Sequence, residues 1–344
     1  MKKLNTELQK IAALAAVSKG NKTLPICTTF LITPETISAT DLEVTITIDN
    51  PFNTTGCGLV EGIDFQKIHK NSKSIDNIIF DNGSARIVTD AGEFTLKSNL
   101  DYQDFPRLNR ESFNSIGSID LSEHEKTFKF AESLASKDPL REKFNGIYFD
   151  SENSYMVSTD AHRMLYEKFN SHTLEKSFVL SRKAFPYIEP KEYEISQNDT
   201  LKRYRTKGIT ITVRQDLQDD SYINWQAVIP EDCSTNVAEY DTKEFVKLVT
   251  AALITANSTN KTELRSNGSL IRSCDLDKNR SFKNYIKGIS KIEGEICDIG
   301  FNGKFMLELL KYCGDTFTLS TTEPNRALII DNKMLLMPTL LENK

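Results

Sequence analysis

The stretch ISATDLEVTITI, residues 37–48, decides how this chain is read. Leu42, Val44, Ile46 and Ile48 alternate with polar residues, the period of a strand with one face buried. The Thr-Asp pair supplies a turn, so the segment predicts a β-hairpin centred on Asp41. Two later stretches share the plan: MVSTDAHRMLYE at 156–167, around Asp160, and LIRSCDLDKN at 270–279, around Asp275. Three such hairpins in 344 residues predict an internal repeat.

Each hairpin is flanked by the same two landmarks. Before it lies a segment with apolar residues at helical spacing: Leu4, Leu8, Ile11 and Ala15, then Phe128, Ala131, Leu134 and Ala135, then Phe245, Leu248, Val249 and Ala252. After it comes a short apolar strand leading into a second helix. These segments read LVEGIDFQKIHK (59–70), FVLSRKAFPYIEP (178–190) and DIGFNGKFMLELLK (298–311), with Phe65, Phe185 and Phe305 at matching places. The aspartates recur at intervals of 119 and 115 residues and the phenylalanines at 120 and 120. Two landmarks giving nearly one period predict three α+β domains, 1–118, 119–237 and 238–344, each with two helices and antiparallel strands. The joins SIGSIDLS (115–122) and STNVAEYD (234–241) carry no Pro/Gly/Ser-rich linker, so the domains are expected to be fixed rigidly to one another.

A composition of 39% apolar and 26% charged residues excludes disordered and fibrous classes. No apolar run reaches membrane-spanning length, and MKKLNTELQK lacks the apolar core of a signal peptide. A soluble, cytoplasmic protein with no membrane partner is expected. The six cysteines (27, 57, 233, 274, 297, 313) form no CxxC pair, and the four histidines (69, 124, 162, 172) show no metal-ligand spacing. Reduced thiols, no metal and no cofactor are expected.

The formal charge of −5 argues against a wholly basic nucleic-acid binder. The cations, however, gather in the helical segments: five lysines against one glutamate in 2–22, and three lysines with no acid in 65–73. A helix face of this kind attracts phosphates without reading bases. It marks Lys10, Lys67, Lys70 and Lys129 as candidate contacts to duplex DNA. Asp160, His162 and Arg163 put an acid, a base and a cation within four residues, and strand alternation would place Arg163 on the side away from Asp160. No serine elbow, phosphate loop or metal set accompanies them, so no catalytic residue and no enzyme is expected.

The ordered segments KTLPICTTFLI with SATDLEV (22–44), DFPRL (104–108), NGIYFD with VSTDAHRM (145–164), FVLSRKAF (178–185), IGFNGKF (299–305) and LLMPTLL (335–341) resemble the bacterial β sliding clamp family, the β subunit of DNA polymerase III. The resemblance runs through all three repeats. It implies a processivity factor of three repeated domains, closing as a head-to-tail homodimer into a ring around duplex DNA. It also implies a clamp-loader ATPase that opens the ring, and a DNA polymerase catalytic subunit and other clamp-binding-motif proteins that dock on it. The alternative is a tandem β-rich interaction scaffold that does not encircle DNA.

Carried over position by position, the family's peptide cleft falls on Phe144, Thr159, Ala161, His162, Arg163, Met164, Ile223 and Val228, and on Leu335, Leu336, Met337, Pro338, Thr339, Leu340 and Leu341. An apolar groove with a few polar anchors suits a short motif bearing leucine and aromatic side chains. The family's DNA contacts fall on Lys22, Lys137, Arg141, Arg182 and Lys183, and its subunit interface on Phe105 and Leu108 against Leu253 and Ile254. The chain departs from the family at Ala161 (commonly Gly), Ile223 (commonly Pro), Ala227 (an Arg) and in the added Glu342, Asn343 and Lys344. These departures bear on which peptide the cleft prefers.

Overall fold

The fold is taken from a computed structural model describing residues 7–20, 23–97, 100–106, 112–138, 140–215, 222–232 and 235–341. Two compact units emerge, residues 1–128 with 171–218, and residues 129–170 with 219–344.

In the first unit, Thr29–Ile32 (β1), Thr36–Thr40 (β2), Val44–Asp49 (β3) and Gly58–Glu61 (β5) form one half of a sheet. Asn114–Asp120 (β9), Glu192–Gln197 (β14), Leu201–Thr206 (β15) and Ile209–Arg214 (β16) form the other, in the order β5-β1-β2-β3-β16-β15-β14-β9. The halves meet at β3 and β16, where Ile48, Ile46 and Val44 oppose Ile209, Ile211 and Val213. β-branched residues on both strands give that seam a continuous apolar face. A second sheet runs Thr54–Thr55 (β4), Ile75–Asp81 (β6), Ser84–Thr89 (β7), Gly92–Lys97 (β8). Its β4–β6 pair is parallel, an exception to the expected antiparallel pairing. Helices Glu7–Val17 (α1) and Gly62–Asn71 (α2) pack together, burying Ile11, Leu14, Ala15, Phe65 and Ile68. Gly62 is required there, because a Cβ would stand 2.5 Å from the Phe30 ring.

Strand Phe178–Ser181 (β13) leads into the expected second helix of the middle repeat, but only a short 3₁₀ turn, Arg182–Ala184, is formed. Two prolines are the reason. Pro186 has no amide to donate, the Tyr187 and Ile188 amides both return to the Ala184 carbonyl, and Pro190 follows before another turn can close. Among the described residues the middle repeat therefore keeps one α-helix, Glu125–Leu134 (α3), instead of two.

The second unit repeats the composite plan. Gly146–Asp150 (β10), Tyr155–Thr159 (β11) and Arg163–Lys168 (β12) are continued by Met334–Leu336 (β25), Leu328–Ile330 (β24), Thr316–Ser320 (β23), Val237–Asp241 (β17) and Ile289–Glu293 (β21). The seam is β12–β25, with Met164 opposite Leu335 and Leu165 opposite Met334. A further sheet has the order Arg280–Tyr285 (β20), Leu270–Asp275 (β19), Lys261–Arg265 (β18), Ile299–Asn302 (β22), Pro338–Thr339 (β26). Helix Thr242–Thr255 (α4) is capped by Asp241 accepting from the Glu244 amide at 2.7 Å, and Gly303–Leu310 (α5) by Asn302 accepting from the Lys304 and Phe305 amides.

Within the second unit the two sets of helix and hairpin correspond in detail. Ser158 donates to the Ala131 carbonyl of α3 at 2.7 Å, and Ser273 to the Ala252 carbonyl of α4 at 2.6 Å. Each serine ties the middle strand of a three-stranded meander to the helix beneath it. No helix among the described residues is long and apolar enough to cross a membrane.

Candidate functional site

The hairpin turn between β11 and β12 is built by its own side chains. Thr159 Oγ1 donates to the Arg163 carbonyl (2.7 Å) and accepts from the Ala161 amide (3.1 Å). Asp160 Oδ1 accepts from the His162 and Arg163 amides at 3.0 and 3.1 Å. The β2–β3 turn copies it: Thr40 holds Leu42 and Val44, and Asp41 accepts from Glu43 and Val44. Both turns force their third residue into the left-handed region, Leu42 at φ 78° and Ala161 at φ 74°. Leu42 thus belongs to the turn, and the strand begins at Val44. The Thr-Asp motif is a turn-forming device.

Arg163 does not face away from Asp160, contrary to the strand-alternation expectation, because residues 160–162 are turn and not strand. Its Nε lies 3.2 Å from Asp160 Oδ2. Its Nη1 pairs with Glu308 on α5, and its guanidinium lies 4.7 Å from the centre of the Phe305 ring. The His162 ring stacks on Phe305 as well, at 5.6 Å. The Met337 amide donates to the His162 carbonyl at 2.8 Å, joining this turn to the C-terminal strands. The acid, base and cation at 160–163 are thereby committed to one another and to α5.

Around this turn the second unit brings together an apolar wall. Met164, Leu335 and Val157 pack in one buried cluster with Tyr166, Trp225, Ala327 and Ile329, and Ile223 packs against it half-buried. Trp225 anchors the segment carrying Ile223 and Val228: its Nε1 donates to the buried Asp150 carboxylate at 3.1 Å, and Tyr222 stacks on Tyr148 at 4.4 Å. Leu336 and Thr159 are buried, Phe144, Pro338, Thr339 and Leu341 are half-buried, and Ala161, His162, Val228, Met337 and Leu340 are exposed, Leu340 at 89%. The segment 335–341 does not alternate strictly: Leu335 and Leu336 both join the core, and Met337 and Leu340 are its two exposed residues. Sequence reading did not single out Trp225, Tyr148, Phe305 or Glu308 for this wall; a lone tryptophan in 344 residues was the available signal.

The basic candidates fall in separate places. In the first unit, Lys10 donates to the Gly208 carbonyl (3.3 Å), Lys67 pairs with Asp64 (2.9 Å) and Lys183 with Glu43 (2.7 Å). Lys70 is exposed, and Arg182 lies 6.0 Å from the Phe185 ring. In the second unit Lys129 and Lys137 are exposed, while Arg141 donates to the Asp160 carbonyl at 3.2 Å, in the β11–β12 turn. Lys22 lies outside the described residues. Of the interface candidates, Phe105 is only 3% exposed, packed on Leu31 and Leu59 in its own unit. Leu253 is half-buried, Ile254 is 72% exposed, and Leu108 lies outside the described residues.

No protein-family model matches the sequence, and no curated protein does. Solved structures do match. A DNA polymerase sliding clamp from Bacillus subtilis is 21% identical with a TM-score of 0.77. A sliding clamp (DNA polymerase III subunit beta) from Bartonella birtlesii, bound to griselimycin, is 19% identical with a TM-score of 0.78. The DNA polymerase III subunit beta from Pseudomonas aeruginosa is 20% identical with a TM-score of 0.77. Each alignment covers 97% of this chain and 97% of the other. The fold of this chain is that of the bacterial DNA polymerase III beta sliding clamps.

Proposed function

We propose that this protein is a DNA sliding clamp, an accessory and non-catalytic processivity factor that encircles duplex DNA in the cytoplasm. The observation that carries the reading is the composite sheet. In each unit, one three-stranded meander is continued across a seam by strands from a segment distant in sequence. Such a plan suits three domains, 1–118, 119–237 and 238–344, joined edge to edge, and a head-to-tail homodimer extends it into a ring. The likeness over 97% of both chains supports the same plan.

On this reading Lys10, Lys22, Lys67, Lys70, Lys129, Lys137, Arg182 and Lys183 supply a diffuse positive field to the DNA. Arg141 is better placed at the cleft turn than on DNA, given its bond to the Asp160 carbonyl. The cleft offers exposed Val228, Met337 and Leu340 beside the buried Met164–Leu335 wall, a surface suited to a short peptide with leucine and aromatic anchors from a polymerase or another clamp-binding protein. Phe105 contributes to the subunit interface as the support under its surface, and Ile254 as an exposed contact.

The test combines solution mass with retention on DNA, after loading by a clamp-loader ATPase. A mass near twice 39.0 kDa, with retention on closed circular DNA and release on linearisation, is the expected result. A strict monomer, or equal loss from circular and linear DNA, overturns the reading.

A further inference from the structure

The two composite sheets follow one plan, but their outer faces, turned away from the side on which Ser158 bonds to α3, differ in chemistry. In the second unit a row of opposed residues on that face runs Met164, Leu335, Ile329, all within the buried apolar cluster. Thr40 and Asp41 shape the first unit's turn as Thr159 and Asp160 shape the second's, so Thr45 stands where Met164 does. From Thr45 the row runs to Thr212 and Arg203, and on to Ser196 and Ser115. Where one unit has methionine, leucine and isoleucine, the other has two threonines and an arginine.

Arg203 belongs to a cluster. Arg205 lies two residues along β15 on the same face, and Arg214, opposite Leu201 on β16, lies diagonally beside Arg203. Arg205 and Arg214 are exposed; Arg203 is half-buried, its guanidinium 3.6 Å from the centre of the Phe113 ring. Among the described residues none of the three forms an ion pair, whereas Arg163, Arg265, Arg272 and Arg280 of the second unit each reach a carboxylate. Arg203 Nε is buried without an acceptor, a state that costs free energy until one is supplied. Burial, and after it the Arg205 charge, lowers the Arg203 pKa below its ordinary value. Glu194 opposes Arg205 in register, and Glu192 stands two residues away on the same face; both are exposed. The positive patch is therefore short, and acids bound it on the β14 side.

We infer that this face docks an extended acidic segment of a partner protein, with carboxylates at alternate positions. Side chains on one face of a strand recur about every 6.8 Å, so arginines at 203 and 205 keep step with the carboxylates of an extended peptide. A guanidinium holds a carboxylate through two parallel N–H bonds, and the Phe113 ring fixes the plane that Arg203 presents. Half-buried Ser196 and Thr210 oppose Arg203 and Arg205 and add hydroxyl donors. The shortness of the patch favours a peptide over nucleic acid. A phosphate backbone is held by many contacts along a continuous positive field, which Glu192 and Glu194 interrupt here. The patch lies wholly in the first unit, so it is a second docking face beside the one proposed in the second unit. It does not depend on encirclement of DNA.

Fluorescence anisotropy with two labelled peptides tests the inference, one alternating aspartate with serine and the other asparagine with serine, each added to the full chain at low ionic strength. The aspartate peptide is expected to bind about tenfold or more tighter than the asparagine peptide. R205Q/R214Q alters exposed side chains only, and is expected to weaken binding about tenfold with the urea midpoint unchanged. E194Q is expected to tighten binding about threefold, a gain that a damaged fold does not produce. R203K keeps the charge but loses the planar fork, and is expected to weaken binding about fivefold. Equal binding of the two peptides overturns the inference, as does a result in which R205Q/R214Q and E194Q match the unmodified protein. A single-stranded oligonucleotide of equal charge that binds more tightly than the aspartate peptide, through the same arginines, overturns it by assigning the face to nucleic acid.

Discussion

Ala161 shows how much one residue can carry. Its backbone is held at φ 74° by bonds to Thr159 and Asp160, in a region where a Cβ is crowded. Ala161→Gly is expected to stabilise the protein by about 1 kcal/mol in urea denaturation, the relief of that crowding outweighing the added freedom of the unfolded chain. Arg163 works in the opposite sense. Its guanidinium is nearly buried, paired with Asp160 and Glu308 and laid on Phe305, so Arg163→Ala removes three partners at once. A loss of about 3 kcal/mol is expected by the same measurement, because breaking a buried pair leaves Asp160 uncompensated. The turn at Asp41 and Asp160 was legible in the sequence because its chemistry is local, a threonine and an aspartate bonding to amides two and three residues on. The position of Arg163 was not, since strand alternation gives no guidance inside a turn.

At the scale of elements, helix and strand periods identified most of what forms. Phe128, Ala131, Leu134 and Ala135 are all buried, as are Phe245, Leu248, Val249 and Ala252. The misread element was the second helix of the middle repeat, where Pro186 and Pro190 outweigh an apolar pattern. The turn between β7 and β8 offers a pH test. Asp90 accepts from the Ser74 and Lys73 amides, and those bonds, with the Lys73 charge, hold its carboxyl below the ordinary value of 3.8. A depressed native pKa means the folded state binds fewer protons than the unfolded one. The contribution is present above the ordinary value and is lost as pH falls through the folded one. The Ser74 and Lys73 amide resonances are expected to titrate with a midpoint under 3.8, and a midpoint at or above it would remove the assigned bonds.

For the whole molecule, the sequence disclosed a threefold period but not how its parts share sheets. Ile46 meets Ile211, about 165 residues away, and nothing near either residue announces the other. The apolar wall beside the β11–β12 turn was legible only through resemblance, and its supporting aromatics came from the structure. Phe105 was likewise singled out only through resemblance, and its burial against Leu31 and Leu59 depends on a fold closed at long range.

The β3–β16 seam also sets a schedule for biosynthesis. A ribosome adding roughly 5–20 residues per second takes on the order of ten to thirty seconds between making Ile46 and making its partner. Through that interval the nascent chain displays Val44, Ile46 and Ile48 on a bare edge, a template for any passing strand. Stalled translation before residue 209 should therefore leave a product prone to aggregation, so that the cell's need for a chaperone is written into the order in which this chain is made.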